Sequence, residues 1–221
     1  MICASEQAVI IDQAIYQKVQ QEMLNNHCYF LNKEEKKRLE KLAINEKTCA
    51  VNADIVGKSP VEIAKKAGIN VPADTKMLVA ELKTVGPDEP LSREKLSPIL
   101  ACYQVKNYQE GFKRCEEMLD FGGLGHSAVI HSNDQEIIEA FGKRMKAGRI
   151  IVNAPSSQGA IGDIYNAYLP SLTLGCGSYG GNSVSTNVGA IHLTNTKKIA
   201  NRNVNMQWFK VPAKIKSLYC H

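Results

Sequence analysis

Short apolar runs alternate along the chain with stretches whose apolar residues recur every three or four positions. Ala8-Val9-Ile10-Ile11 is a β-branched run and predicts a strand. From Asp12, a helix N-cap by residue type, Ala14, Ile15, Val19, Met23 and Leu24 keep helical spacing to about Asn26. A second helix is predicted from Glu34 to Asn45, with Leu39, Leu42 and Ala43 on a narrow apolar side. The mixed charges of Lys33 to Arg38 read as its solvated face. Ser59-Pro60-Val61-Glu62 opens a third helix, which ends near Gly68. Asn107 caps a fourth, whose Phe112, Cys115, Met118 and Leu119 share one face. Asp134 to Lys146 is a fifth, with Ile137, Ile138, Phe141 and Met145 inward. Strands are expected near 8–11, 77–80, 99–104, 127–131 and 149–153. Strands alternating with helices of this length indicate an α/β fold: a mostly parallel sheet flanked by helices.

After Asn153 the pattern changes. Residues 154–196 are rich in Gly, Ser, Asn and Thr and lack helical periodicity. Their apolar content (Ile161, Ile164, Tyr165, Tyr168, Leu169, Leu172, Leu174) predicts an ordered, folded-over segment. Met206-Gln207-Trp208-Phe209-Lys210-Val211 alternates like a terminal strand and is closed off by Pro212. The division expected is a catalytic-type domain over 1–200 and an oligomerisation strand with the start of a linker over 201–221.

Composition narrows the class. With 44% hydrophobic and 22% charged residues, the 221-residue chain is ordinary globular material, not disordered, collagenous or coiled-coil. No apolar run approaches the roughly 18 residues of a membrane span. Met1 to Glu6 lacks the basic and apolar regions of a signal peptide. Seven cysteines without a CxxC pair then read as reduced thiols in a cytoplasm, and argue against a zinc site; no metal is expected. After Asp163 there is no acidic residue, while six Lys and Arg lie there. Spread so thinly, they do not make a nucleic-acid face, and no nucleic-acid or membrane partner is expected.

Three features invite chemistry. Gly175-Cys176-Gly177-Ser178-Tyr179-Gly180 matches GxGxxG, but a poor helix opening and no acidic residue follow it. It is not a dinucleotide fingerprint; its glycines let backbone pass close to a ligand or another loop. Among the cysteines, Cys102 and Cys115 read as core. Cys3 and Cys176 lie among small residues where a thiol can be reached. His126 sits in Gly122-Gly123-Leu124-Gly125-His126-Ser127, a loop leading into a strand, as a structural or a reactive histidine.

Ile2-Cys3-Ala4-Ser5-Glu6-Gln7 resembles the catalytic-cysteine segment of CoA-acylating aldehyde dehydrogenases. The likeness is greatest to the aldehyde dehydrogenase half of bifunctional acetaldehyde–alcohol dehydrogenases. It continues through Arg93-Glu94-Lys95-Leu96-Ser97-Pro98-Ile99-Leu100, Gly122 to His126, Asn153 to Gly159 and Leu172 to Ser183. Glu94-Lys95-Leu96-Ser97-Pro98 resembles the Glu-x-Phe-Gly-Pro motif of aldehyde dehydrogenases. In that family the nicotinamide-binding domain precedes the cysteine; this chain begins two residues before Cys3, which implies a fragment.

The resemblance implies the fold of an aldehyde dehydrogenase catalytic domain and a reversible reaction of acetaldehyde, CoA and NAD to acetyl-CoA and NADH. Cys3 would attack the aldehyde, give up a hydride to the nicotinamide as a thioester forms, and pass the acyl group to CoA. Glu94 would hold the nicotinamide ribose, His126 would take the CoA thiol proton, and Leu174 and Gly175 would wall the nicotinamide pocket. The implied partners are a small aldehyde, NAD, coenzyme A and further copies of the chain, joined through a strand over Asn205 to Val211. Two rivals stay open. One is a cysteine hydrolase or acyltransferase using Cys3 and His126 without nicotinamide; the other is a remnant or interaction module that catalyses nothing.

Overall fold

The computed structural model describes residues 1–45 and 50–202. Residues 1–189 form one compact unit, and a second begins at Ala190 with a short 3-10 turn over Ala190–Leu193. The strand expected over 205–211 lies outside the described residues.

The first unit starts with β1 (Ala8–Asp12), α1 (Tyr16–Asn25), β2 (Cys28–Phe30), α2 (Lys33–Ala43) and α3 (Pro60–Lys66). It continues with β3 (Met77–Glu81), β4 (Ile99–Val105), α4 (Tyr108–Gly122) and β5 (Gly125–Ile130). Then come α5 (Gln135–Arg144), β6 (Ala147–Val152) and the single turn α6 (Ser156–Gly159). The expected α/β class is observed, with every strand pairing parallel. The strands divide, however, into a four-stranded sheet ordered β1-β4-β3-β2 and a two-stranded sheet β5-β6.

The four-stranded sheet is covered on both faces, which is why its central strands are apolar at successive positions. Leu78, Ala80, Ile99, Ala101 and Tyr103 pack against Leu39 and Ala43 of α2 and Ile63 and Ala64 of α3. Val79 and Cys102, in the opposite phase, meet Val19 and Met23 of α1. The small sheet is two-sided as well. Ala128, Ile130 and Ile150 face Phe112 and Leu119 of α4 and Phe141 and Met145 of α5. Val129 and Ile151 turn to the other side, where Ala4, Ala160 and Leu174 close over them.

Capping chemistry sets the helix starts. Ser59 and Glu62 form a reciprocal capping box at α3, and Asn107 and Asp134 cap α4 and α5. Asp12 does not cap α1. It ends β1 instead, its carboxylate accepting the Ala14 N–H at 2.9 Å, so the helix begins four residues later. The charge run of α2 is not wholly solvated either. Asn32 and Glu35 make a capping box, Glu35 is buried and also accepts the Tyr29 hydroxyl, and Lys36 pairs with Glu89 at 2.9 Å. β2 was invisible in the sequence because three residues are too few to show a period.

Hydrogen bonds more than apolar burial order the segment after β6. The Asn187 amide donates to the carbonyls of Ala160 and Leu169, and the Ser171 hydroxyl donates to Val188. Ile164 and Leu172, expected to anchor the segment, stand exposed. Among the described residues no helix is long and apolar enough to cross a membrane.

β5 begins at Gly125, two residues earlier than its apolar run, because the chain enters at φ +80 with the loop after Leu174 pressed on it. A Cβ on Gly125 would lie 2.1 Å from the Cys176 carbonyl oxygen. Gly125→Ala is therefore expected to destabilise the chain by at least about 2 kcal/mol. Urea denaturation measures this, and a change under about 0.5 kcal/mol would contradict the packing described.

Candidate functional site

Cys3 lies exposed on a turn closed by the Ser5 N–H donating to the Ile2 carbonyl at 3.0 Å. The Ser5 hydroxyl oxygen in turn accepts the Ile2 N–H at 3.1 Å. The residues on either side are anchored. Ala4 is buried with Ile151 and Ala160, and Ile2 and Leu174 pack on the same cluster. Glu6 accepts the backbone N–H of Ser156 at 2.6 Å, joining the turn to the Asn153–Gly159 segment. A mobile-looking N-terminal thiol is thus held by its neighbours rather than by itself.

Gln7 carries the connection to Glu94. Its side-chain oxygen accepts the Lys95 N–H at 2.8 Å, and its side-chain amide donates back to the Ser5 carbonyl at 3.1 Å. Lys95 is fully buried. Its ammonium donates to the carbonyls of Arg93 at 2.6 Å, Leu91 at 2.7 Å and Gln7 at 3.3 Å, using all three protons on neutral oxygens. Burial draws its pKa down to about 7, with the Glu94 charge opposing. The Glu94 side chain opens to solvent, yet neighbouring protein raises its carboxyl above the ordinary range against the pull of Lys95. Leu96 follows at φ +45, a left-handed turn that swings the chain into β4.

His126, the second residue of β5, is half-buried. Its Nδ1 lies 3.0 Å from the Ser127 hydroxyl, and burial together with the charge of Arg149 lowers its pKa. Arg149 is 2% exposed and, among the described residues, pairs with no carboxylate. Its Nε donates to the Ser127 hydroxyl oxygen at 3.1 Å, Nη1 to the Gly175 carbonyl at 2.8 Å and Nη2 to the His126 carbonyl at 2.8 Å. The loop it clamps bridges back on itself through Leu174 and Asn187. Within it, the Gly175 N–H donates to Thr186 and the Gly177 N–H to Val184. At Gly175 a Cβ would lie 2.2 Å from the Val184 carbonyl. The glycines thus serve close backbone approach, and among the described residues no α-helix opens directly after them.

The Cys3 turn is joined to the Glu94 segment through Gln7 and Lys95 and to Leu174 through Ile2 and Ala4, and His126 is joined to Gly175 through Arg149. Among the described residues no hydrogen bond joins the side chains of Cys3, Glu94 and His126 directly. The links run through Gln7, Lys95, Ser127 and Arg149, none of which the sequence reading singled out for a role. One signal was available for Arg149: along β6 it shares the inward phase of Ile151. Among the described residues no cluster of three or more His, Cys, Asp or Glu is placed to hold a metal ion.

Comparison with known proteins identifies the kin of this arrangement. No family model matches the chain. An aldehyde-alcohol dehydrogenase of Streptococcus pneumoniae is 53% identical over 221 residues, covering 97% of this chain and 25% of the relative. An acetylating aldehyde dehydrogenase from Geobacillus thermoglucosidasius superposes with a TM-score of 0.83 at 44% identity, covering 91% of this chain and 45% of that one. A probable aldehyde dehydrogenase from Listeria monocytogenes gives 0.88 at 40% identity, covering 93% and 45%. The chain is related to the acetylating aldehyde dehydrogenases. It spans about a quarter of the length of the curated relatives it matches.

The cysteines separate by environment. Burial pushes the Cys102 thiol up to about 11 and the Cys115 thiol up to about 12, and raises Cys28 as well. Cys3 alone among the described cysteines is exposed. Iodoacetamide near neutral pH is expected to label Cys3 well before Cys102 or Cys115, read by peptide mass mapping. Equal labelling would contradict the placement.

Lys95 makes stability pH-dependent. The unfolded chain holds this proton to the ordinary lysine pKa of 10.5, the folded one only to about 7. Between these values the unfolded state binds more protons. The Lys95 contribution is therefore most favourable above the unfolded pKa and declines as pH falls toward 7. The difference in urea midpoint between wild type and Lys95→Met should grow in favour of wild type from pH 7 to pH 10. A difference that stays flat would place the amine in an ordinary aqueous state.

Proposed function

We propose that this chain supplies the nucleophile and acyl-transfer face of an NAD-dependent, CoA-acylating aldehyde dehydrogenase, interconverting acetaldehyde and acetyl-CoA. The observation that carries the reading is the setting of Cys3. An exposed thiol sits on a turn tied through Gln7 to the Glu94 segment and packed through Ile2 and Ala4 beside Leu174. Similarity to an aldehyde-alcohol dehydrogenase and to an acetylating aldehyde dehydrogenase supports the same chemistry.

In this reading the Cys3 thiolate adds to the aldehyde carbonyl, giving a thiohemiacetal, and loss of hydride leaves a thioester on sulfur. Nicotinamide, when bound, supplies the hydride acceptor. Sulfur suits both halves, because it attacks well and later leaves well when the CoA sulfur displaces it. Glu94 fits the sugar of a nicotinamide nucleotide: an exposed, acceptor-only carboxylate at a turn that Lys95 holds rigid suits a ribose diol. Leu174, packed in one cluster with Ile2 and Ala4, and Gly175 after it wall the nicotinamide pocket in this reading, and His126 serves the transfer to CoA. We place the enzyme in the cytoplasm as a homo-oligomer, consistent with unpaired thiols at every described cysteine.

The acyl-transfer half can be tested on this chain. Incubation with acetyl-CoA should place an acetyl group on Cys3, seen by intact mass and peptide mapping, and Cys3→Ser should abolish it. In a full-length enzyme containing this segment, Cys3→Ser should lower aldehyde oxidation at least about a hundredfold, some 2.7 kcal/mol of barrier. Glu94→Gln should weaken NAD use while leaving Cys3 alkylation intact. Acetylation spread evenly over accessible thiols, or retained oxidation in Cys3→Ser, would leave a non-catalytic interaction module as the better account.

A further inference from the structure

The family resemblance implies a base at His126, with a structural role as the alternative, but its hydrogen bonds specify something narrower. A serine hydroxyl has one proton to give and two lone pairs to offer. At Ser127 one lone pair is taken by Arg149 Nε at 3.1 Å. The remaining neighbour of this oxygen is His126 Nδ1 at 3.0 Å. If Nδ1 carried a proton, the serine oxygen would receive two donors and its own proton would have no acceptor among the described residues. If Nδ1 is bare, the hydroxyl donates to it while its oxygen accepts from Arg149 Nε, so both contacts of the serine are made and the ring proton stands on Nε2. The adjacent guanidinium favours the second arrangement, because a cation on the oxygen strengthens the hydroxyl as a donor and weakens it as an acceptor.

We propose that Arg149, acting through Ser127, fixes His126 as the tautomer carrying its proton on Nε2. The ring then serves the site as a hydrogen-bond donor, not as the base for an incoming thiol. The inference deepens the reading of His126 as a site residue and rests on it. The group such a donor serves is the acyl oxygen of the Cys3 thioester, which becomes anionic when sulfur adds to its carbon. His126 neither takes up nor gives away a proton in the transfer; the CoA thiol releases its proton to solvent. The CoA sulfur arrives as thiolate, its bond to the acyl carbon forms, the Cys3 bond breaks, and Cys3 departs as thiolate. Arg149 and Ser127 are positioning residues in this scheme. A buried cation without a carboxylate also keeps the imidazole neutral, the state in which a bare Nδ1 can accept from Ser127.

Two measurements test the proposal. Long-range proton–nitrogen correlation spectra of the labelled chain report the tautomer of each of its five histidines, with His126 assigned by its loss in His126→Ala. The wild type should show Nε2–H and a bare Nδ1. Ser127→Ala and Arg149→Lys should each redistribute the proton between the two nitrogens, and Arg149→Lys keeps a charge in place should Arg149→Met fail to fold. A wild-type His126 carrying its proton on Nδ1 overturns the proposal. The second measurement is acetyl transfer from acetyl-CoA to Cys3 in His126→Gln and His126→Ala. A glutamine side-chain amide can stand where Nε2–H stood and donate, but it cannot act as a base. The donor role predicts His126→Gln within about tenfold of wild type and His126→Ala slower by about a hundredfold or more. Gln no better than Ala overturns the donor role. Equal rates in all three proteins overturn the placing of His126 in the site, while the spectra still decide the tautomer.

Discussion

Arg149 carries a full positive charge into the interior and meets only neutral oxygens there. Moving a cation from water into protein costs several kcal/mol even after relaxation. Charge-assisted hydrogen bonds, each about 1.5–3 kcal/mol, offset that only when the donors are fully used and well aligned. The geometry of the site follows from this requirement. Oxygens from Ser127, His126 and Gly175 must converge on one guanidinium, so β5, β6 and the loop after Leu174 hold a single relative position. Lys95 imposes the same discipline on the other side, drawing carbonyls of residues 91, 93 and 7 onto one ammonium. A neutral side chain at either position would leave several carbonyls buried and bare.

These two buried cations explain how an exposed N-terminal thiol acquires fixed surroundings. Among the described residues no hydrogen bond anchors the Cys3 side chain itself. Its position comes from Ile2 and Ala4, held in the apolar layer under β5 and β6, and from Gln7, held by Lys95 ahead of β4. Candidate residues fall at or before the starts of strands: Cys3 before β1, Glu94 before β4, His126 at the opening of β5. Open parallel sheets commonly bind ligands beyond the carboxyl ends of their strands. Here the turn before β1 packs through Ile2 and Ala4 on the small sheet and is tied through Gln7 to the turn before β4.

Much of this was legible along the chain. Periodicity and start signals found α1 to α5 and all described strands except the three-residue β2, while the single turn α6 was too short to show a period. Ser59, Asn107 and Asp134 announced helix starts by their capping chemistry, but Asp12 misled, because the same carboxylate can close an Asx turn. The segment from Ala154 onward was seen to be ordered, although for a reason that composition hid. Asparagine and serine side chains hold it, and several of its apolar residues face outward.

The sequence by itself determined the α/β class, the order of elements, the inert character of Cys102 and Cys115, and the kinship carried by the Cys3, Glu94 and Leu174 segments. Those properties depend on local period, residue type and contiguous motif, which a linear reading contains. The division into two sheets, the burial of Lys95 and Arg149, and the bonding of His126 were decided only in the tertiary structure. Each depends on oxygen atoms from residues far apart in the chain meeting one donor. Gly175 and Arg149 are 26 positions apart, and Gln7 and Lys95 are 88. A basic residue in a strand can face water or carry its charge inside, and residue type alone does not distinguish the two. That outcome depends on whether distant carbonyls arrive to receive its protons.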